Sequence, residues 1–376
     1  MRKKIYKWHS IGALFAMLPL LLISLTGSIL VFKVELDTFL MPDKMQVSSD
    51  DTASNMEEVG ERLSLDALMA KVKSQYPEHE IGSWEIFDNK SRTDAAYLIK
   101  HHTTEWSKLY INQYNGELLS TPVGLSDDFT DWLLDLHYKL LLETNGMFLG
   151  AIVSILLLFL GISGIVLYRK FWVNFFTLRF KLARRIFFSD LHKMIGISSS
   201  PIIIILAFTG AWWNVSEVIH EVSEHIIEEP YLIEKPLHNT TLSIQSLLDR
   251  NKETIKDFDA TYLLMPYEPA MNILFYGKVD SSNPLNSDYS STITYDKNSG
   301  EMIDSLDVRT ANAAHVSVDS FRKLHFGHFA GLPSKLIWCI LGLSPSILAF
   351  TGLYLYLYKN RNRKASKLVN LKRAVS

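Results

Sequence analysis

Long apolar stretches alternate with polar segments along this chain. Four stretches of 21 to 23 residues contain no Asp, Glu, Lys or Arg, at positions 11–32, 147–168, 194–214 and 336–358. A helix needs about 20 residues to cross a bilayer core of about 30 Å, so the pattern predicts four membrane-spanning helices.

The first stretch follows a basic N-terminus, as in a signal peptide. It is longer than the apolar core of a signal and no small-residue cleavage site follows it, so a retained helix is favoured over a cleaved signal.

Basic residues mark the predicted cytoplasmic side. They are concentrated at the N-terminus, in the link between the second and third stretches and in the tail: Arg2, Lys3, Lys4 and Lys7; Arg169, Lys170, Arg179, Lys181, Arg184 and Arg185; Lys359, Arg361, Arg363, Lys364, Lys367, Lys372 and Arg373. Short basic loops stay in the cytoplasm. Both termini and the link are therefore predicted to be cytoplasmic, with residues 33–146 and 215–335 outside.

Aromatic residues within 171–176 predict an amphipathic segment at the membrane surface. The net charge of −2 argues against a nucleic-acid partner.

The apolar stretches repeat in pairs. Histidine precedes a glycine by 18 residues in the first and third stretches and by 27 residues in the second and fourth: His9 and Gly27, His192 and Gly210, His137 and Gly164, His325 and Gly352. Each glycine follows Ser or Thr, as Thr26, Thr209, Ser163 and Thr351. The pattern predicts a four-helix bundle built from a duplicated two-helix unit.

The two outside segments also resemble each other. Residues 109–118 and 293–302 each alternate apolar and polar positions before an Asn-Gly or Asn-Ser-Gly turn, which is typical of a strand entering a hairpin. Helix-like patterns precede them at 64–76 and 243–252, and further strand-like runs occur at 96–99 and 271–276. Two small α+β modules are predicted.

The predicted organisation follows from these patterns. It comprises transmembrane helix 1 at 9–32, an outside module at 33–136, transmembrane helix 2 with its lead-in at 137–168, a cytoplasmic basic link at 169–191, transmembrane helix 3 at 192–214, a second outside module at 215–324, transmembrane helix 4 with its lead-in at 325–358 and a cytoplasmic basic tail at 359–376.

The repeated histidines suggest a redox cofactor. His9 and His192 begin their spans at the predicted cytoplasmic face, and His137 and His325 at the outer face. A single histidine is readily tolerated at a polar–apolar boundary, but four at matched spacing indicate a function, because ionisable residues in membrane helices are costly. Facing imidazoles in a helix bundle can bind haem iron axially, so these histidines are predicted to hold two haems b, one near each membrane face. Zinc is disfavoured because no thiol or carboxylate recurs beside them within the spans. The only cysteine, Cys339, cannot form a CxxC zinc site or a CxxCH haem attachment.

Neighbouring residues extend this candidate site. His328, three residues after His325, could share its helix face. Arg322, three residues before His325, could pair with a haem propionate, with a solvated charge as the equal alternative. Small residues could admit the ring of the cofactor at each face: Gly12, Ala13 and Ala16 on one side, and Gly327, Ala330 and Gly331 on the other.

These motifs resemble those of a known family. The Trp-His and Leu-His openings, the Ser/Thr-Gly pairs and the paired hairpins are similar to the PepSY-associated transmembrane family over essentially the whole chain. That family includes bacterial inner-membrane haem proteins that reduce ferric siderophores in the periplasm and release Fe(II). The resemblance implies periplasmic PepSY-like modules at 33–136 and 215–324, and haem-ligand histidines corresponding to His9, His137, His192 and His325.

The expected function is therefore electron transfer across the membrane to a ferric siderophore or another ferric chelate. No GxGxxG nucleotide-binding loop is present, so the electrons are expected from membrane quinol or a cytoplasmic reductase. Periplasmic iron-uptake proteins are possible partners, in addition to the bilayer. The alternative is a membrane-tethered PepSY protein that binds partners or regulates peptidases without redox activity. A transporter is disfavoured, because the four apolar stretches lack Asp, Glu, Lys and Arg.

Overall fold

The structure is a computed structural model that describes residues 1–47, 61–87, 92–168, 177–223 and 230–375. In chain order its helices are α1 (Arg2–Leu30), α2 (Lys33–Leu40), α3 (Pro42–Met45), α4 (Leu65–Gln75), α5 (Phe129–Tyr138), α6 (Glu143–Leu167), α7 (Arg184–Glu221), α8 (Ile244–Thr254), α9 (Ala313–Phe326), α10 (Gly331–Gly342) and α11 (Ser344–Val375). Its strands are β1 (His79–Glu85), β2 (Asp94–Lys100), β3 (Trp106–Ile111), β4 (Val123–Gly124), β5 (Asp259–Leu264), β6 (Ile273–Lys278), β7 (Ser291–Tyr295) and β8 (Met302–Leu306).

The chain divides into two units. The helical unit contains Met1–Val31, Leu133–Ser223 and Leu324–Ser376, and the sheet unit contains Phe32–Trp132 and Glu224–Lys323. Each unit is thus assembled from separate parts of the sequence.

Four helices among the described residues are long and apolar enough to cross a membrane. They are α1, α6, α7 and the helical stretch Gly331–Asn362, which joins α10 to the first part of α11. A helix satisfies its backbone hydrogen bonds internally, which a span surrounded by lipid requires. The prediction of four membrane-spanning helices is confirmed by their length and composition.

These helices form a closed ring of neighbours in the helical unit. α6 and α11 each pack against both α1 and α7. In α1 the small residues Gly12 and Ala16 face inward, whereas Phe15 and Leu18 are each 61% exposed. Small residues inside and large apolar residues outside are typical of membrane bundles, since lipid solvates the large side chains while small ones permit close packing. Ala16, Leu20 and Val153 form a core cluster between α1 and α6.

The sheet unit contains one antiparallel sheet of eight strands, in the order β4-β3-β2-β1-β5-β6-β7-β8. In each outside segment one helix leads into four strands, α4 into β1–β4 and α8 into β5–β8. The predicted helices at 64–76 and 243–252 are confirmed as α4 and α8. Both predicted hairpin turns place a glycine in the left-handed region, Gly116 and Gly300, each with φ +70, where other residues are strained.

The two outside segments share this sheet rather than forming two separate modules, which corrects the expectation. β1 pairs with β5, with Trp84 opposite Leu263. A single core contains fully buried side chains from both segments, among them Trp84, Leu98, Leu263 and Phe275. Because β1 and β5 pair with each other, neither is a free edge strand. Free edge strands are sites of unwanted association.

The predicted basic segments are partly helical. α7 already begins at Arg184, within the predicted link at 169–191. The basic tail at 359–376 is largely helical, since α11 continues to Val375. Residues 169–176, which carry the predicted amphipathic segment, lie outside the described residues.

Candidate functional site

Each of the four repeated histidines contacts the Ser/Thr-Gly pair of another helix. In every case the imidazole Nδ1 lies within hydrogen-bonding distance of the hydroxyl oxygen. The four contacts are His9 to Ser163 at 2.7 Å, His137 to Thr26 at 3.1 Å, His192 to Thr351 at 2.8 Å and His325 to Thr209 at 2.7 Å. The two sequence motifs of the repeat therefore meet in space.

The hydroxyl protons determine which nitrogen of these imidazoles is free. Thr26, Thr209 and Thr351 each donate to the carbonyl four residues earlier in their own helix, over 2.8, 2.8 and 2.9 Å. A hydroxyl has one proton, so its oxygen must accept the Nδ1–H of the histidine. At His137 the backbone carbonyl of Ile23 also lies 2.9 Å from Nδ1, and a carbonyl can only accept. Nδ1 therefore carries the proton, and Nε2 retains a lone pair for a metal.

The glycine of each pair makes room for the imidazole. A Cβ atom on Gly27 would lie 2.6 Å from Cε1 of His137, closer than atoms can pack. The corresponding distance is 3.4 Å for Gly210 to His325 and for Gly352 to His192, and 3.9 Å for Gly164 to His9. Glycine is thus required beside His137 and progressively less so at the other positions.

Sharp turns position His137 and His325 ahead of their spans. His137 lies near the end of α5, and His325 near the end of α9. A Cβ atom on Gly146 would lie 1.5 Å from the carbonyl oxygen of Lys139, so only glycine allows α6 to approach the end of α5. Gly327 has φ +70 and follows the end of α9 directly. Each histidine therefore sits on a short helix whose end depends on a glycine.

The structure brings His137 and His325 together. Their ring centroids are 6.3 Å apart. Two iron–nitrogen bonds of about 2 Å, with about 1 Å from each nitrogen to its ring centre, would separate two axial imidazoles by about 6 Å. Both residues lie outside the four spanning helices, and burial lowers the pKa of His137 to about 4 and that of His325 to about 3. Both imidazoles are thus neutral near pH 7, and their spacing fits an iron between them.

The other two histidines lie toward the opposite end of the bundle. His9 contacts Ser163 of α6, and His192 contacts Thr351 of α11, so each lies beside the later part of another spanning helix. Within α1, Thr26 follows His9 by 17 residues, which corresponds to about 25 Å of helix at 1.5 Å per residue. The bundle therefore holds two histidine pairs near its two ends.

One of the two neighbouring residues, His328, differs from the prediction. His328 does not share a helix face with His325, because α9 ends at Phe326. Its Nε2 instead donates to the carbonyl of Val31 over 3.1 Å. Arg322 places its guanidinium 4.4 Å from the ring centroid of Tyr289.

Several of the small residues predicted to admit the cofactor make packing contacts between helices. A Cβ atom on Gly327 would lie 2.7 Å from the indole of Trp338. Gly12 faces Leu156 and Leu160 across ordinary contact distances of 3.7 and 3.9 Å. Ala16 belongs to the core between α1 and α6. Close packing therefore accounts for the small size of Gly327 and Ala16, whereas Gly12 leaves room for a Cβ atom.

The hydroxyl partners were missed as site residues in the sequence, although their signal was visible. The Ser/Thr-Gly pairs were recognised only as marks of the repeat. One histidine lies at or before the start of each span, and one such pair lies near its end. Because consecutive spans run in opposite directions, the end of one span lies at the same face as the beginning of the next, so the two motifs could have been paired.

The fold and the site together define a class of protein. It is an integral membrane protein with four spanning helices, each of which places a hydroxyl against one of four repeated histidines, and the long connections between spans build a separate sheet unit. A family model for the PepSY-associated TM region matches residues 6–359. The chain belongs to this family. No curated protein matches the sequence.

Proposed function

We propose that this chain is a haem-b electron-transfer protein that spans the bacterial inner membrane and reduces a ferric siderophore or another ferric chelate at the outer face. One observation carries the proposal. Four imidazoles lie toward the two ends of the bundle, each with Nδ1 bonded to a hydroxyl, and at His137, His192 and His325 this arrangement leaves Nε2 available as a ligand. A hydrogen bond at the second nitrogen is the usual support of a metal-binding histidine, because it fixes the ring and raises its basicity.

The fit of the residues to haem is chemical as well as geometric. His137 and His325 would hold one haem, and His9 and His192 the other. Haem iron with two imidazole ligands changes between its ferric and ferrous states and carries one electron at a time. The protein would supply neutral nitrogen ligands and an apolar surrounding, and the hydroxyl partners would hold the rings in place.

The orientation gives the electron transfer its direction. With both termini in the cytoplasm, His9 and His192 lie at the inner face, where membrane quinol or a cytoplasmic reductase would supply electrons. His137 and His325 lie at the outer face, with the PepSY-like segments of the duplicated chain in the periplasm. One electron converts chelated Fe(III) to Fe(II), which leaves the chelate. No covalent bond to carbon is made or broken, so the step needs no acid, base or nucleophile.

Absorption spectra of the purified protein test the cofactor. From haem-replete cells, the wild type is expected to show a b-type spectrum with two haems per chain. His137→Ala and His325→Ala should each lose the haem of their pair and keep the other. The matched control is His315→Ala, because His315 bonds to the carbonyl of Ser290 in the sheet unit, over 3.1 Å, and should leave the spectrum unchanged. A colourless wild type would contradict the proposal and leave the non-redox PepSY alternative.

A second measurement tests the reaction. The dithionite-reduced wild type is mixed with a ferric siderophore, and a ferrous-specific chelator reports the Fe(II) that appears. Reoxidation of the haem spectrum and release of Fe(II) should proceed together. His325→Ala should slow both, whereas His315→Ala should not. A reduced wild type that keeps its spectrum in the presence of several ferric chelates would contradict the assigned substrate class.

A further inference from the structure

Two aromatic side chains pack around His325. The ring centroid of Trp213 lies 5.1 Å from that of His325, with the ring planes at 71°. Phe326 lies 5.9 Å from His325 at 84° and stacks on Trp213 at 5.7 Å and 28°. These distances are within the range of edge-to-face and offset-stacked ring pairs. Trp213, Phe326 and His325 thus form one cluster in the helical unit.

Trp213 has no aromatic counterpart at the matching position in the first half of the chain. Trp213 follows Gly210 by three residues, and Leu30 follows Gly27 by three. The histidine contacts of the two halves otherwise correspond, since Thr26 binds His137 as Thr209 binds His325. An aromatic ring is therefore not needed for a Thr-Gly pair to receive a histidine.

The hydrogen bonds of Nδ1 also differ between His137 and His325. Nδ1 of His137 has two acceptors, the hydroxyl of Thr26 and the carbonyl of Ile23. Among the described residues, Nδ1 of His325 has one acceptor, the hydroxyl of Thr209. Two acceptors restrict rotation of a ring about its bond to Cβ more than one acceptor does. At His325 the indole ring of Trp213 can supply the missing restriction by steric contact.

We propose that Trp213 is a positioning residue that fixes the imidazole plane of His325. This inference rests on the proposed function, in which His325 is an axial ligand. The relative orientation of two axial imidazole planes determines the low-spin electron paramagnetic resonance signal of the iron, and ligand geometry affects its reduction potential. Trp213 would thus determine the electronic state of one haem without touching the iron.

The variant Trp213→Leu tests the inference, since it introduces the side chain type found at position 30. In the haem-loaded protein, the largest g value and the midpoint potential of one haem should shift, and those of the other should stay unchanged. Loss of that haem to apomyoglobin should become about tenfold faster, as for other changes that disturb the support of a metal ligand. Trp213→Phe keeps an aromatic face and should largely restore the wild-type signal.

Trp212→Leu is the matched control, because Trp212 is the adjacent indole and is 44% exposed. It should leave both haem signals unchanged. Unaltered g values, potentials and haem loss in Trp213→Leu would overturn the inference while leaving the proposed function intact. Equal effects of Trp212→Leu and Trp213→Leu would also overturn it. A wild type without a haem spectrum would instead overturn the proposed function, and this inference with it.

Discussion

At the scale of single residues, a hydroxyl group determines what each histidine can do. A neutral imidazole offers one donor and one acceptor nitrogen. Because the threonine protons are already used within their own helices, Nδ1 must donate and Nε2 must accept. The hydroxyl partners therefore give these histidines the tautomer that a metal ligand needs, before any metal is bound.

The first prediction removes one of these hydroxyls. Thr209→Val keeps the shape of the side chain but cannot accept the Nδ1–H of His325. In the wild type Oγ1 of Thr209 lies 2.7 Å from Nδ1 of His325. Loss of such a supporting bond typically weakens metal binding by about 10- to 100-fold. Haem titration of the apoprotein should show this loss at one site of two. Thr209→Ser keeps the hydroxyl and should bind like the wild type; equal affinity of the valine variant would contradict the role of the hydroxyl.

The second prediction concerns the glycines beside the imidazoles. In Gly27→Ala the new methyl group would lie 2.6 Å from Cε1 of His137, so the ring must move from its position. In Gly164→Ala the methyl group would lie 3.9 Å from His9, an ordinary contact. We expect the first variant to lose the haem of the His137–His325 pair and the second to keep both haems. Spectra measured per mole of folded protein compare them, and the reverse order would contradict the geometry.

At the scale of elements, two helices in the sheet unit cap each other. The carboxylate of Asp66 in α4 accepts from the hydroxyl of Ser243 and from the backbone N–H of Ile244, over 2.5 and 2.7 Å. In return, the side-chain oxygen of Gln245 in α8 accepts from the backbone N–H of Leu65 over 2.9 Å. The free N–H groups at a helix start need such acceptors, and here each helix supplies one for the other. The exchange joins the two halves of the unit.

The third prediction tests this exchange. Asp66→Ala should destabilise the first turn of α8 by about 1 kcal/mol, the usual value of an N-cap contact. Hydrogen exchange followed by mass spectrometry should show about fivefold faster exchange of the amides at the start of α8 in the folded protein. Glu253→Ala changes an exposed residue of the same helix and serves as the control. Unchanged exchange in the Asp66→Ala variant would mean that Asp66 contributes nothing to α8.

Local patterns in the sequence predicted most elements, whereas long-range contacts were not predictable from them. Uninterrupted apolar residues predict the spans because lipid has no partner for a charge. The turns at Gly116 and Gly300 are predictable because few residues other than glycine tolerate their backbone. The pairing of β1 with β5 is different. It joins strands about 180 residues apart, and the residues of one strand do not specify which distant strand it pairs with.

The site shows the same division between local and long-range information. His9, His137, His192 and His325 could be found from spacing alone, because they repeat at fixed offsets. Their hydroxyl partners needed the neighbour relations of the helices. The contact of Trp213 with His325 could not be predicted, since it occurs in one half of the chain and leaves no repeat.

At the scale of the whole molecule, the distribution of charge predicts which histidine pair faces which compartment. Basic residues next to membrane spans are held on the cytoplasmic side, and α1 and α7 both begin with them, at Arg2 and Arg184. Both helices should therefore run outward. Their later parts carry Thr26 and Thr209, so the pair of His137 and His325 is assigned to the outer side by the same argument.

The fourth prediction tests this orientation with a single reactive thiol. Cys339 is the only cysteine, so Cys339→Ser gives a background without thiols. Ser282→Cys then places a thiol at an exposed position of the sheet unit, and Lys4→Cys places one at the exposed N-terminus. In intact spheroplasts a membrane-impermeant maleimide should label the first and not the second, and detergent should make both reactive. The reverse pattern would put His9 and His192 at the outer side, where the proposed electron path would have to run in the opposite direction.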